Sequence, residues 1–227
     1  MDLSVAEEAV GASLGLEPCY RDPEVAVFGL HNVLFAVGDQ FLEVVAPRPG
    51  NNDTSAGRLL SKRGGDAGYM VILQTDDQAA VAERATSLGL RVVFEAEGGD
   101  ASAGTQTRGL HFHPKDVGGA ILSVDQSENP AEWAWAGPAW RDHVRTGVVE
   151  ALTGVTIEVD DPVATARTWA ALLGCESDES NRITLDDSEL SFVQGDRGVV
   201  GLEMAAGSVA SDRKFDLLGT TVTVEAE

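Results

Sequence analysis

Val155-Thr-Ile-Glu-Val-Asp-Asp161 opens the stretch of sequence that decides the fold, because a strand-like run ends there at two aspartates. Residues 162–172 follow and are rich in alanine and other helix formers, and Pro162 suits the first turn of a helix. Leu173-Gly174 then supplies a glycine for the left-handed end of that helix. β-branched residues that give way to helix formers predict a strand followed by a helix.

The same arrangement recurs earlier in the chain. Tyr69-Met-Val-Ile-Leu-Gln-Thr-Asp-Asp77 leads through residues 78–87 into Leu88-Gly89. The N-terminal segment 2–15 has the same Asp-to-Gly separation as the segment 161–174, without a strand-like run before it. The sequence therefore predicts three copies of one unit, and the first copy lacks its initial strand.

Short strand-like runs follow each of the three helices. They are residues 29–37 and 40–46 after the first helix, 91–95, 109–113 and 119–125 after the second, and 182–185, 189–194, 199–204 and 220–225 after the third. Strand, helix and then several strands predicts an α+β protein with mainly antiparallel sheets. A doubly wound parallel sheet would need more helices than the sequence predicts.

Two longer connections interrupt this pattern. Residues 47–67 are rich in glycine, asparagine and proline around a helix-like segment at 55–62, and residues 125–146 carry three tryptophans. Trp133, Trp135 and Trp140 could form an aromatic lid over an apolar ligand, or the connection could pack its indoles onto a sheet. Both alternatives predict that these tryptophans are partly buried.

Composition excludes several classes of partner. Sixteen Lys and Arg against 37 Asp and Glu give a formal charge of −21, which repels phosphate backbones and anionic membrane surfaces. We therefore expect no nucleic-acid partner and no membrane partner. No run approaches the roughly 20 apolar residues of a membrane span, and the N-terminus lacks signal-peptide features, so we expect a cytoplasmic protein. Cys19 and Cys175 are far apart and are expected to be small core residues.

Two stretches carry a resemblance to a known family. Phe41-Leu-Glu-Val-Val-Ala-Pro47 and Phe112-His-Pro-Lys-Asp-Val-Gly-Gly-Ala-Ile-Leu-Ser-Val124 are similar to the Glu-Leu-x-x-Pro and His-Pro-Lys-x-x-Gly-Gly-x-x-x-Glu-Leu runs of methylmalonyl-CoA epimerases. Together with the repeat, they identify a resemblance to the vicinal oxygen chelate superfamily, which has the glyoxalase and bleomycin-resistance fold. The resemblance implies βαβββ modules that pair into an open half-barrel around a metal and a substrate.

The resemblance also implies a metal site built from two His and two Glu or Gln. Glu43 matches the carboxylate of the third strand. Met70 stands at the fifth-strand His position and Ser123 at the eighth-strand Glu position, and both are poor ligands for a divalent cation. The strand with the remaining His would precede Asp2. A divalent metal is therefore not the favoured cofactor, since Glu43 alone retains a ligand side chain at a standard position.

Other polar residues are candidates for binding a ligand. They are His31, Glu43, Gln74, His111 and His113. His111 and His113 are two apart and would share a strand face, as a relocated metal site or an acid–base pair requires, unless His113 caps a turn before Pro114. Gln74 would face the cavity together with Met70, although a structural cross-strand bond is an equal alternative. No catalytic residue can be assigned.

The copies divide the chain into three predicted parts. Residues 1–130 would form paired βαβββ modules, with the first one truncated, residues 131–147 a Trp-rich linker, and residues 148–227 a third module. A lone module leaves one sheet face to be covered, either by the first domain or by a second chain in a homodimer.

Three functions are compatible with this sequence. The first is a small-molecule enzyme of the superfamily, a lyase, isomerase or dioxygenase with a divergent site. The second is a metal-free protein that sequesters a drug or metabolite, as the resemblance to the bleomycin-resistance branch implies. The third is a structural or regulatory domain whose cavity is filled with apolar side chains.

Overall fold

A computed structural model describes residues 2–226 and shows an α+β protein. Its strands are β1 (Pro18–Tyr20), β2 (Leu30–Val37), β3 (Gln40–Pro47), β4 (Met70–Gln74), β5 (Val92–Gly98), β6 (Thr107–Phe112), β7 (Ile121–Ser127), β8 (Val149–Val159), β9 (Arg182–Thr184), β10 (Glu189–Gln194), β11 (Gly198–Ala206), β12 (Arg213–Leu217) and β13 (Thr220–Glu225). Its helices are α1 (Leu3–Leu14), α2 (Ser55–Arg63), α3 (Gln78–Leu88), α4 (Pro114–Val117) and α5 (Pro162–Leu173). Within the described residues, no helix is long and apolar enough to span a bilayer.

The chain folds into two compact units that are each discontinuous in sequence. The first unit comprises Met1–Ala67, Trp135–Thr153 and Gly201–Glu227, and the second comprises Gly68–Ala134 and Gly154–Val200. The predicted division at residues 130 and 147 concerns sequence modules, and it stays a prediction.

In the first unit, α1 and strands from both ends of the chain share a core. β1, β2 and β3 form an antiparallel sheet in which Leu34 lies opposite Glu43. β13 pairs parallel with β11 and antiparallel with β12. The apolar side of α1 is buried in one cluster with both groups of strands, to which Val10, Phe35, Met204 and Val222 contribute fully buried side chains.

The first part of the second unit has the predicted strand–helix–strand order. Its sheet has the strand order β4-β7-β6-β5, and β4 runs parallel to β7. Asp77 caps α3 by accepting a hydrogen bond from the Ala80 amide, and Gly89 ends the helix with a left-handed backbone. Val81 and Ala85 of α3 are buried, as the inner face of a helix that packs on a sheet must be.

The remainder of the second unit repeats this arrangement around α5. Residues 154–159 of β8 pair parallel with β10, which pairs antiparallel with β9. Asp161 caps α5 through the Ala164 amide. The Trp169 indole is fully buried against Phe192, with ring centroids 5.2 Å apart, and donates a hydrogen bond to the Val117 carbonyl.

The observed helices and strands agree with most of those predicted from the sequence. The predicted helices and the helix-like segment at 55–62 are present, and most predicted strands begin and end within a few residues of the observed ones. The sequence did not predict the short strands β1 and β12 or the single-turn helix α4. The predicted strand at 109–113 in fact ends at Phe112, which matters for His113.

Candidate functional site

One face of the β4-β7-β6-β5 sheet combines polar and apolar side chains. The register places Ile72 and His111 on either side of Ser123, and it places Gln74 and Gly109 on either side of Asp125. Because directly opposite residues project to the same side of a sheet, these side chains share one face. We call it the candidate face and define it by Met70, Ile72, Gln74, Phe94, His111, Ser123 and Asp125. The opposite face is apolar and includes Leu110, Leu122 and Val124, which are all buried.

Asp125 is the most deeply buried charged residue of this face. It is 2% exposed, and its Oδ1 and Oδ2 accept hydrogen bonds from Ser123 Oγ at 2.5 Å and from Trp133 Nε1 at 3.0 Å. Burial raises the pKa of the Asp125 carboxyl from its ordinary 3.8 to about 6, although both hydrogen bonds act in the opposite direction. A Cβ at Gly109 would lie 2.8 Å from Asp125 Oδ1, so the glycine makes room for the carboxyl.

His111 is the second titratable group of the candidate face. Its ring lies 5.4 Å from the Phe94 ring, centroid to centroid, and it sits directly across the strand pair from Ser123. Burial lowers the pKa of the His111 imidazole below its ordinary value. Ser123 therefore stands between an acid whose pKa is raised and a base whose pKa is lowered, an arrangement typical of functional sites.

The segment after β7 folds back onto the candidate face. Gln74 Nε2 donates to the Pro130 carbonyl at 2.9 Å, Trp133 Nε1 donates to Asp125, and the Ala134 amide donates to Thr107 Oγ1 at 3.1 Å. We call residues 128–134 the strap. Trp133 and Trp135 are partly buried and Trp140 is 5% exposed, which confirms the expected burial of the three tryptophans.

The apolar part of the candidate face remains accessible. Ile72 is 37% exposed and Phe94 is 36% exposed, while Met70 is half-buried beside them. Accessible apolar side chains next to a few fixed polar groups are the usual chemistry of a small-molecule site.

The two predicted histidines of this region are not on the same element. His113 follows the last residue of β6 and caps α4, because its Nδ1 accepts a hydrogen bond from the Lys115 amide at 3.1 Å. His113 therefore caps a turn, which was the alternative to a strand position shared with His111. His111 alone lies on the candidate face.

Glu43 and His31 belong to the first unit and project from opposite faces of its sheet. Glu43 shares a face with Asn32, which is 3% exposed and donates from Nδ2 to Glu43 Oε1 at 2.7 Å. His31 lies on the other face, the one that packs against α1 through Val33 and Phe35. The pairing register thus separates two side chains that the sequence left as joint candidates.

Asp125 and its contact with Trp133 were not among the candidates that the sequence patterns indicated. A signal was available, because Asp125 follows Ser123 by two residues on a strand and must share its face. The partner Trp133 could not be assigned in this way, since the fold of the strap is not periodic.

A comparison with protein families decides the membership of this chain. The model of the glyoxalase-like domain matches residues 1–173. The chain belongs to the glyoxalase-like domain family. This confirms the resemblance and the α+β fold class inferred from the sequence, and no curated protein matches the glyoxalase-like chain.

Solved structures resemble the glyoxalase-like chain at low sequence identity. A hypothetical protein from Staphylococcus aureus is 14% identical, with 96% of this chain and 92% of that chain covered and a TM-score of 0.69. A variant of the methylmalonyl-CoA epimerase from Streptomyces coelicolor, in complex with 2-nitronate-propionyl-CoA, is 23% identical over 56% of this chain and 87% of that chain, with a TM-score of 0.46. The epimerase from Mycobacterium tuberculosis is 26% identical over 56% and 81%, with a TM-score of 0.44. The likeness to the Staphylococcus aureus protein extends the shared fold over nearly the whole chain.

The donor atoms of this glyoxalase-like chain do not fit the metal site that the resemblance implies. Met70 and Ser123 lie on the candidate face and offer a thioether and a neutral hydroxyl, which bind hard divalent cations poorly. The Ser123 hydroxyl also donates its hydrogen bond to Asp125. Among residues 2–226, no three His, Cys, Asp or Glu side chains are grouped closely enough to hold a metal ion.

Proposed function

We propose that this glyoxalase-like protein binds a small organic molecule on the candidate face without a metal ion. The observation that carries the proposal is the buried Asp125 carboxyl, held by Ser123 and Trp133, next to the accessible Ile72 and Phe94 side chains. The carboxyl would supply polar recognition and the apolar side chains would supply contact area.

The cost of burying Asp125 supports a functional role. Burial disfavours the ionised form of a carboxyl, and it raises the pKa of Asp125 for this reason. A purely structural sheet face would be more stable with an apolar residue there. The third function considered from the sequence, a cavity filled by apolar side chains, is therefore less well supported.

An isomerase-type or lyase-type activity is the second candidate. It is favoured by the raised pKa of the buried Asp125 carboxyl, about 6, which suits proton exchange near neutral pH. Asp125 would accept a proton from a bound molecule and return it to the product. Of the two candidates, binding is better supported, because it requires only the contacts described above.

A ligand screen with and without chelator tests the main proposal. The protein would be screened by thermal shift against a metabolite library in 1 mM EDTA, and hits would be measured by calorimetry. We expect hits whose affinity is unchanged by EDTA and falls by roughly tenfold or more in Asp125→Asn. Asp39→Asn, in the exposed turn between β2 and β3, is the charge-matched control. Hits that vanish with EDTA, or that Asp125→Asn does not weaken, would contradict the proposal.

The cytoplasmic location and the homodimer predicted from the sequence also remain proposals. Size-exclusion chromatography with light scattering would distinguish a mass near 23.8 kDa from twice that mass. A mass of one chain at micromolar concentration would contradict the homodimer.

A further inference from the structure

Among its described residues, the candidate face carries one carboxylate and no Lys or Arg, and its one histidine has a lowered pKa. The strand positions that share this face hold Met70, Ile72, Gln74, His111, Ser123 and Asp125, besides small and apolar residues. Arg108 of β6 projects from the opposite face of the sheet, as does Glu97, its partner on β5. Arg108 Nε lies 3.9 Å from Glu97 Oε1. A bound anion would therefore meet the Asp125 carboxylate without a compensating cation.

The strap already places a hydrogen-bond donor on this carboxylate. Trp133 Nε1 donates to Asp125 Oδ2 at 3.0 Å, while Ser123 Oγ donates to Oδ1. Trp133 itself is only partly buried, unlike the carboxyl that it contacts. The flanking bonds of the strap, at Pro130 and Ala134, do not involve Asp125 and can stay in place when the indole moves.

We infer that the candidate face selects neutral or cationic molecules that carry an N–H donor, and that Trp133 occupies the donor's place on Asp125 until the ligand displaces it. This inference rests on the proposed function and adds its ligand class. Cationic donors gain a charge-assisted hydrogen bond to the carboxylate, whereas anions are repelled by it and by the formal charge of −21.

Three fluorescent probes of similar aromatic size test the ligand class. They are dansylcadaverine, which carries an ammonium group, dansylamide, which is a neutral N–H donor, and 8-anilinonaphthalene-1-sulfonate, which is an anion. Titrations at pH 8 in 0.15 M salt should give an affinity for dansylcadaverine that is about tenfold higher than for the anion. Dansylamide should lie between the two.

Two substitutions separate the roles of Asp125 and Trp133. Asp125→Asn should reduce the preference for the cation to about twofold or less, because an amide offers no charge. Trp133→Phe keeps an aromatic ring but removes the competing N–H, so the cationic probe should bind several-fold more tightly. Asp39→Asn and Trp135→Phe are matched controls and should leave the affinities unchanged. Circular dichroism would verify that each variant is folded.

The outcomes distinguish this inference from the proposed function. Tightest binding of the anionic probe would overturn the ligand class while leaving small-molecule binding in place. Equal effects of Asp125→Asn and Asp39→Asn would overturn both, because the candidate face would then not be the binding site. An unchanged affinity in Trp133→Phe would overturn the displacement of the indole. If none of the three probes binds although the metabolite screen gives hits, the ligand class fails and the proposed function stands.

Discussion

Asp125 is a buried carboxyl with a raised pKa. Its carboxyl is almost inaccessible, is held by two donors and lies over a glycine on the neighbouring strand. These features hold the carboxyl in one position; its burial disfavours the ionised form, and the two hydrogen bonds offset only part of that effect. The residue therefore links the stability of the second unit to pH.

Asp125→Asn is expected to change how stability depends on pH. The carboxyl has a pKa of about 6 in the folded protein and an ordinary value of 3.8, so the native state binds more protons between these values. Its contribution to stability is fully present below pH 3.8 and is lost as pH rises through 6. Asparagine does not titrate, so its contribution does not change with pH. Between pH 4 and pH 8 the free energy of unfolding of the variant should therefore rise by roughly 1–3 kcal/mol relative to wild type.

Urea unfolding of both proteins at several pH values measures this difference. Other carboxyl groups titrate alike in the two proteins, so subtraction isolates Asp125. A constant difference across the range would show that the carboxyl is not perturbed.

Gly109→Ala tests whether the carboxyl needs the space opposite it. The new Cβ would lie 2.8 Å from Asp125 Oδ1 and 3.4 Å from Ser123 Oγ, so the carboxyl must shift. We expect a loss of about 1–3 kcal/mol in the free energy of unfolding. Gly65→Ala is the control, because a Cβ there has no atom within 4 Å. Equal stabilities of the two variants in urea titrations would contradict the tight fit.

Side-chain alternation predicted some site residues and failed at others for a physical reason. Met70 and Gln74 were expected to share a face, and the pairing register agrees, because a period of two holds along a regular strand. For His113 the same argument failed, since β6 ends one residue earlier and Pro114 begins a helical turn. Alternation is reliable only inside a strand, and strand ends are the least predictable feature of a sequence.

At the scale of elements, the repeated Asp-to-Gly segments account for the helices. Asp2, Asp77 and Asp161 each accept a hydrogen bond from an amide in the first turn of the helix that follows. Gly15, Gly89 and Gly174 have positive φ at the other ends. These signals are local, which is why the helices could be predicted from the sequence alone.

Asp161→Ala is expected to destabilise the protein by about 1 kcal/mol, because it removes the cap of α5 and leaves the Ala164 amide without its acceptor. Asp160→Ala changes the neighbouring exposed aspartate and provides a control with the same loss of charge. Guanidinium titrations of the two variants should therefore differ in midpoint. Identical midpoints would mean that the cap adds nothing to stability.

At the scale of the whole molecule, each unit is assembled from segments that are far apart in the chain, and local sequence patterns do not predict the contacts between those segments. Local patterns predicted most helices and strands, but they placed residues 1–130 together as paired modules. The predicted division stays a prediction, and the buried cluster of the first unit joins α1 to Val149, Met204 and Val222. Such pairings depend on contacts over about 150 to 200 residues of chain, and periodicity within a short window carries no information about them.

A fragment of residues 1–130 tests the division inferred from the sequence. The fragment keeps α1 but loses Val149, Met204, Leu217, Val222 and Val224, which are buried in the same cluster. Exposure of α1 and of the inner face of β2 to water removes several kcal/mol of burial, more than a small unit can spare. We expect the segment 1–67 of the fragment to lack fixed tertiary structure, with few dispersed amide signals in a heteronuclear NMR spectrum. Residues 68–130 of the fragment retain the four-stranded β4-β7-β6-β5 sheet with α3 and should give a dispersed subset. A fully dispersed spectrum with a cooperative thermal transition would instead establish 1–130 as an independent domain, and the cluster would then have to be completed within the fragment.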